Sequence, residues 1–88
     1  MGIYYYAIDG HEKTIMEPPE SYACKSPAIF HPNNPFPAMV MMKNIQGYHY
    51  EIINDMQTVY EECCTWKDVT KEVYEELLKI HPEWACKD

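Results

Sequence analysis

Residues 3–16 read Ile3-Tyr-Tyr-Tyr-Ala-Ile-Asp-Gly-His-Glu-Lys-Thr-Ile-Met16 and predict a β-hairpin near the start of the chain. Residues 3–8 are rich in β-forming types, and Asp9-Gly10 is a strong signal for a two-residue hairpin turn. Residues 11–16 can return as the second strand. Alternation places residues 3, 5 and 7 on one face of the first strand and residues 4, 6 and 8 on the other. Since both faces are apolar or aromatic, we expect this strand to be covered on both sides or to meet a partner.

A second hairpin is predicted between residues 38 and 53. Ala38-Met-Val-Met-Met-Lys43 would form its first strand, residues 44–47 its loop, and Tyr48-His-Tyr-Glu-Ile-Ile53 its return strand. In the return strand residues 48, 50 and 52 would face one way, with residues 49 and 51 on the wetter side.

The last third of the chain changes to helical spacing. Apolar residues recur at steps of three and four, with only Thr70 breaking the row: Met56, Val59, Cys63, Trp66, Val73, Leu77, Ile80 and Trp84. A cap at Asn54 or Asp55 would start the helix, with Gln57 at the capping-box spacing from Asn54. Thr65 followed by Asp68 offers a second capping box, so a break near Thr65 is possible. Pro82 should end the helix near Ile80.

These elements predict an α+β fold for residues 1–88 as a single domain. It would contain a four-stranded antiparallel sheet, made of two hairpins joined by a long proline-rich loop. One or two C-terminal amphipathic helices would cover one face of this sheet. The other face would be exposed or would form a dimer interface.

The proline-rich segment, residues 17–37, holds six of the seven prolines and is the first candidate for a binding site. Long loops in compact domains are usually functional or disordered, and stiff loops lose less entropy on binding. The candidate binding residues combine aromatic faces, an imidazole and side-chain amides: Tyr22, Phe30, His31, Asn33, Asn34 and Phe36. The alternative is that the aromatics pin the segment onto the sheet as a packed lid.

The charge indicates the kind of partner. The net charge is −7, and residues 51–88 alone carry −6. The chain has no arginine and no basic face for phosphates, which disfavours direct binding of nucleic acid and of anionic membranes. A basic protein partner is favoured. The second candidate surface is the acidic face of the C-terminal helix, Asp68, Glu72, Glu75 and Glu76, although such a face can also be simply solvated.

Catalytic and metal motifs are weak. The four cysteines and four histidines lack the tight pairs of structural zinc sites, and Cys63 fits a small buried hydrophobe. Cys24 with His31 could form a thiolate–imidazole pair only if the loop folds back. The three isolated glycines form no phosphate loop. We therefore expect no cofactor and no catalytic residue.

No apolar run reaches the length of a membrane span, and the first residues lack the basic region of a signal peptide. A cytoplasmic location with reduced thiols is expected. The leading hypothesis is a non-enzymatic binding protein, a small acidic inhibitor or adaptor that docks on a basic protein surface. Small acidic chains of this kind are common among phage-encoded inhibitors of host or defence enzymes, a link by association only. One alternative is a homo-oligomeric nucleotide-type ligand binder with the tyrosine-rich sheet as its interface. Another is a zinc-stabilised interaction module.

Overall fold

A computed structural model describes residues 3–19 and 31–85 and shows a small α+β domain with a four-stranded mixed sheet and three helices. The strands are β1 (Tyr5–Asp9), β2 (Thr14–Met16), β3 (Glu51–Asn54) and β4 (Lys67–Asp68). The helices are α1 (Phe36–Ile45), α2 (Tyr60–Cys63) and α3 (Thr70–Ile80), followed by a 3₁₀ turn at Pro82–Trp84. The strand order is β3-β1-β2-β4.

The first hairpin is confirmed, but its turn is longer than predicted. β1 and β2 are antiparallel, with Ala7 opposite Met16 and Asp9 opposite Thr14, so residues 10–13 form the turn. The Asp9 carboxylate accepts hydrogen bonds from the backbone N–H groups of His11 at 2.9 Å and Glu12 at 3.2 Å. Because an aspartate can cap its own turn in this way, Asp9 stays in the strand and the turn extends past Gly10.

The second predicted hairpin is wrong, because its first strand is helix α1. Alanine, methionine and lysine are good helix formers, and prolines at the start of the segment suit the first helical turn. Buried residues at Phe36, Met39 and Val40 follow helical steps of three and four. A continuous apolar run such as residues 38–42 fits the periodicity of a strand and of a helix equally well. The sequence alone therefore did not exclude a strand here, and the strand prediction is wrong.

Gly47 follows α1 and adopts a left-handed φ of 107°. A Cβ at this position would meet no atom within 4 Å, so its strain would come from the backbone alone. We expect Gly47→Ala to lower the free energy of unfolding by about 1 kcal/mol in urea denaturation. Gly10→Ala is the matched control, since φ is ordinary there and the nearest atom, on Trp66, lies 3.9 Å away. Equal stability of the two variants would contradict this assignment.

The sheet is mixed, which corrects the prediction of a purely antiparallel one. β3 pairs antiparallel with β1, with Ile53 opposite Tyr6, whereas β4 pairs parallel with β2. The Val69 N–H donates to the Ile15 carbonyl at 2.9 Å, which continues the parallel pairing. The chain does break near Thr65, which the sequence left open. The predicted capping box does not start a helix there, because Lys67 and Asp68 form the edge strand β4 and α3 begins only at Thr70. The Thr65 hydroxyl donates back to the Glu62 carbonyl at 2.8 Å.

Each face of the sheet carries a buried core, so neither face is wholly exposed, and the expected dimer interface stays a prediction. The first core joins one sheet face to α1 and α3: Ala7, Met16, Phe36, Met39, Val40, Tyr50, Val69, Val73 and Leu77. The second core joins the opposite face to α2: Ile8, Ile15, Ile53 and Cys63, with Tyr6, Val59, Tyr60 and Trp66 packed against it. Helix α2 has only four residues, but with its flanking turns it covers this core because Val59, Tyr60 and Trp66 all pack against it.

Helix α3 ends at Ile80, as predicted from Pro82. Its Val73 and Leu77 are buried, and the Tyr74 hydroxyl donates to the Trp84 carbonyl at 2.8 Å. This bond fixes the 3₁₀ turn against the end of α3. Across residues 3–19 and 31–85, no helix has both the length and the apolar character needed to cross a membrane.

Candidate functional site

An apolar groove of about 470 Å³ lies between α1, the end of α3 and the 3₁₀ turn. Three of its side chains are large, apolar and exposed: Met41 at 63%, Ile45 at 80% and Ile80 at 55%. The remaining lining is mostly apolar: Ala38, Met42, Leu77 and Trp84, with Gln46, His81 and Glu83 at the rim. Exposed apolar side chains scattered singly are ordinary, but a cluster around one concavity marks an interaction surface.

The groove exists because α1 is apolar on two sides. Helical geometry turns one row, including Phe36 and Val40, into the core. Met41 and Ile45 are four residues apart and form a second row on the opposite side of the helix. Leu77 of α3 and Trp84 of the 3₁₀ turn line the groove opposite α1. A helix that only covered a core would need one apolar row, so the second row makes this side of α1 a candidate interaction surface.

An acidic row leads along α3 into the groove. Glu72, Glu76 and Ile80 occur at intervals of four, so they lie on one flank of the helix. The Glu76 carboxylate forms an ion pair with the Lys43 ammonium at 3.3 Å and accepts a hydrogen bond from the Gln46 amide. Glu72 is more exposed and reaches only Lys67, at 3.8 Å. Carboxylates and exposed apolar side chains therefore form one continuous surface.

Lys43 fixes this surface from α1. Its ammonium lies 4.3 Å from the centroid of the Tyr48 ring and also donates to the Gln46 side chain at 3.1 Å. Only 13% of the Lys43 side chain is exposed, so its charge is used inside the domain. One lysine thus ties α1, α3 and the approach to β3 together, and it offsets only part of the acidic charge beside it.

A polar hollow next to this surface is organised by Asp9. Beyond its two turn contacts, the Asp9 carboxylate accepts the N–H of His49 at 3.2 Å, which joins the first turn to the approach to β3. Burial would raise the pKa of Asp9, but the hydrogen bonds from His49, Glu12 and His11 outweigh burial and lower it. These contacts hold backbone in place, so Asp9 serves the fold.

The proline-rich candidates separate into different environments. Tyr22 and Phe30 lie outside the described residues. His31 and Asn33 are exposed, and the His31 ring accepts the Asn33 N–H at 3.2 Å. Asn34 and Phe36 are buried, and the Asn34 side-chain oxygen accepts the Phe36 N–H at 3.0 Å. These two residues therefore start α1 and fill the core, and neither is presented at the surface.

The acidic candidates do not form one face. Glu72 and Glu76 line a separate polar hollow together with Lys43 and Tyr50, whereas Glu75 is exposed. Asp68 precedes α3 and its carboxylate accepts the Thr70 N–H at 2.8 Å. The structure thus brings together two of the four predicted acidic residues, and the hydrogen bond from Gln46 links Glu76 to the apolar groove.

The cysteine interpretation is confirmed for Cys63, which is fully buried, and burial raises the pKa of its thiol. Its neighbour Cys64 is exposed. Among residues 3–19 and 31–85, no three or more histidine, cysteine or acidic side chains come together as metal ligands. Cys24 and Cys86 of the zinc hypothesis, and Cys24 of the thiolate hypothesis, lie outside those ranges.

Comparison with known proteins finds no matching family model, no matching curated protein and no matching solved structure. Function has to be inferred from the surfaces themselves. The groove residues were missed by sequence reasoning because residues 38–43 were interpreted as a strand. The signal that could have found them is the spacing of Met41 and Ile45 after prolines that suit a helix start.

Proposed function

We propose that this protein is a non-enzymatic binding protein whose apolar groove takes a basic, amphipathic helical segment of a protein partner. One observation carries the proposal: the row Glu72, Glu76, Ile80 runs from carboxylates directly into exposed apolar side chains. An amphipathic helix has the complementary pattern, with an apolar stripe for the groove and lysines or arginines beside it for the carboxylates.

The groove supplies the affinity. Met41, Ile45 and Ile80 are the exposed anchors, and burying such a side chain fully contributes roughly 1.5–3 kcal/mol. Association and side-chain ordering oppose this gain by several kcal/mol. A complex held by three anchors should therefore be weak and reversible, with a Kd well above micromolar. Such an affinity suits an adaptor or a reversible inhibitor.

Charge selects the partner. The net charge of −7 attracts a basic segment and disfavours a second copy of this chain in the groove. Glu72 is the freer carboxylate, because Glu76 is already paired with Lys43. An inhibitor or adaptor can act through this contact alone, by masking or positioning the partner's helix, and the surface needs no catalytic group for that role.

The test uses Trp84, which lines the groove, as a fluorescent reporter. In a Trp66→Phe background Trp84 is the one remaining tryptophan. The probe is a peptide of leucines and lysines in which leucine recurs at helical spacing. We expect saturable binding that Ile45→Ser and Ile80→Ser each weaken about tenfold, roughly 1.4 kcal/mol. Met56→Ser is the matched control, since Met56 is 77% exposed in the turn after β3 and lies outside the groove.

Two further probes separate the apolar and charged contributions. A peptide of the same composition with strictly alternating leucine and lysine should bind much more weakly, because its stripe does not match a helix. Replacing its lysines by glutamates should abolish binding, and added salt should weaken the lysine peptide. Equal binding of all peptides, or a stable homodimer that Ile45→Ser dissociates, would contradict the proposal.

A further inference from the structure

A second concavity lies on the opposite face of the sheet and is lined by aromatic rings and carboxylates. Its volume is about 180 Å³. We call it the aromatic pocket; its lining is Tyr6, Ile15, Met16, Glu17, Tyr60, Cys64, Trp66 and Asp68. Drug-sized ligands need roughly 300 Å³ or more, so this pocket has room for a small head group only.

Strand register brings the two carboxylates together. Ile15 is paired with Asp68 across β2 and β4, so both side chains point to the same face. Glu17 is two residues beyond Ile15 and returns to that face. Continuing the pairing of Ala7 with Met16 places Glu17 beside Tyr6. The Glu17 N–H donates to the Thr70 hydroxyl at 3.0 Å, which holds this residue at the start of α3.

The rings present a surface that attracts positive charge. Tyr6 and Tyr60 stack with their centroids 4.9 Å apart, and the Tyr60 hydroxyl donates to the Tyr6 hydroxyl at 3.4 Å. The Trp66 ring already carries one ammonium group, that of Lys13, 4.8 Å from its centroid. Tyrosine and tryptophan faces attract cations through their quadrupoles, and tryptophan does so most strongly.

The carboxylates lack a compensating cation among the described residues. Neither Glu17 nor Asp68 forms an ion pair within residues 3–19 and 31–85, where Lys67 reaches Glu72 instead. Burial, and next the Asp68 carboxylate, raise the pKa of Glu17. Burial together with the Tyr60 hydroxyl raises the pKa of Tyr6 well above its usual value, so Tyr6 stays a neutral phenol. A cation in the pocket would relieve the repulsion between Glu17 and Asp68.

We infer that the aromatic pocket binds an organic cation, an alkylammonium or guanidinium head group, between the tyrosine and tryptophan rings and the carboxylates of Glu17 and Asp68. The rings supply cation–π attraction and the carboxylates supply charge. The same head group can come from a free small molecule or from a modified or unmodified lysine or arginine on another chain. This pocket is separate from the apolar groove and can be tested independently of it.

The experiment compares a cation with its neutral isostere. In a Trp84→Phe variant, Trp66 is the remaining tryptophan and reports on the pocket. Choline is titrated against 3,3-dimethyl-1-butanol, which replaces the ammonium nitrogen by carbon, at constant ionic strength. We expect a saturable change in Trp66 emission with choline and binding about tenfold weaker with the alcohol. Equal responses to the two ligands, or no saturable response to choline, would overturn the inference.

Glu17→Gln separates binding from folding. This change removes a desolvated charge, so we expect the thermal midpoint to stay the same or to rise, while choline affinity falls about tenfold. Glu61→Gln removes the same charge from an exposed position on α2 and should leave affinity unchanged. Unchanged choline affinity in Glu17→Gln would refute the site. Loss of affinity in both variants would mean that only the net charge matters, which also refutes it.

The source of the head group is resolved by a second pair of probes. A short peptide with one trimethyllysine is compared with the same peptide carrying norleucine. Tighter binding of the trimethyllysine peptide than of choline supports a protein-borne cation, and the reverse order supports a free small molecule. If the norleucine peptide binds as well as its trimethyllysine counterpart, the pocket does not recognise positive charge and the inference fails.

Discussion

Phe36→Ala should lower the free energy of unfolding by about 3–5 kcal/mol, the largest effect expected for any single change considered for this chain. Phe36 is fully buried in the first core, beside Met39 and Leu77. Its removal leaves a cavity under α1 and loosens the helix that carries the apolar groove. A domain of this size is stable by about 4–13 kcal/mol, so this loss is a large fraction of its total stability.

Urea denaturation followed by circular dichroism measures this change. Met41→Ala is the matched control on the same helix, because Met41 is 63% exposed, and it should shift the free energy of unfolding by less than about 1 kcal/mol. If Phe36→Ala were as stable as Met41→Ala, Phe36 could not be a core residue. The earlier expectation that it presents its ring to a ligand would then become the better interpretation.

Asp9→Ala is the second large effect, with an expected loss of about 2–4 kcal/mol. Asp9 is 1% exposed, and its carboxylate accepts three backbone N–H groups, from His11, Glu12 and His49. Alanine would leave these donors without their acceptor in the fold. Asp9→Asn keeps one oxygen acceptor and should lose less. A loss below about 0.5 kcal/mol in Asp9→Ala would show that water replaces the carboxylate and that the anchor is dispensable.

The Asp9 carboxylate should make the folding stability fall as the pH becomes acidic. Asp9 has a lowered pKa in the folded state because the three hydrogen bonds outweigh burial. Its contribution is therefore fully present above its unfolded pKa of about 3.9 and is lost as the pH falls through the lower folded value. The stability difference between the wild type and Asp9→Asn should be constant at neutral pH and should narrow below about pH 4. A difference that grows with acidity would have the wrong sign.

The sequence predicted the elements whose local signals agree with their tertiary surroundings. The β1–β2 hairpin and the end of α3 at Ile80 were foreseen from turn and proline chemistry. A break near Thr65 was left open, and the capping box predicted there does not start α3, which begins at Thr70. α1 was missed because an unbroken apolar run carries no period. The parallel pairing of β4 was also missed. The two residues of β4, Lys67 and Asp68, are too few and too polar to show a strand pattern. They form a strand only because they pair with Thr14 and Ile15 of β2.

The charge pattern indicated an acidic candidate surface, but the sequence did not reveal the apolar groove. Composition favours a basic partner, which stays a prediction, and Glu72 and Glu76 line a polar hollow separate from the apolar groove. The groove itself depends on α1 and α3 lying side by side, and such a contact between distant segments leaves no local trace in the sequence. Glu17 was not singled out for the same reason: its neighbours in the aromatic pocket come from β1, α2 and β4.

The most direct test of the proposed function is to map where the basic helical peptide binds. Amide chemical shifts of ¹⁵N-labelled protein are followed during titration with the leucine–lysine peptide. We expect the perturbed amides to cluster on the last turns of α1 and α3 and on the 3₁₀ turn, around Met41, Ile45, Ile80 and Trp84. Perturbations scattered over the acidic surface, or centred on the turn at Met56, would show that the groove is not the binding site.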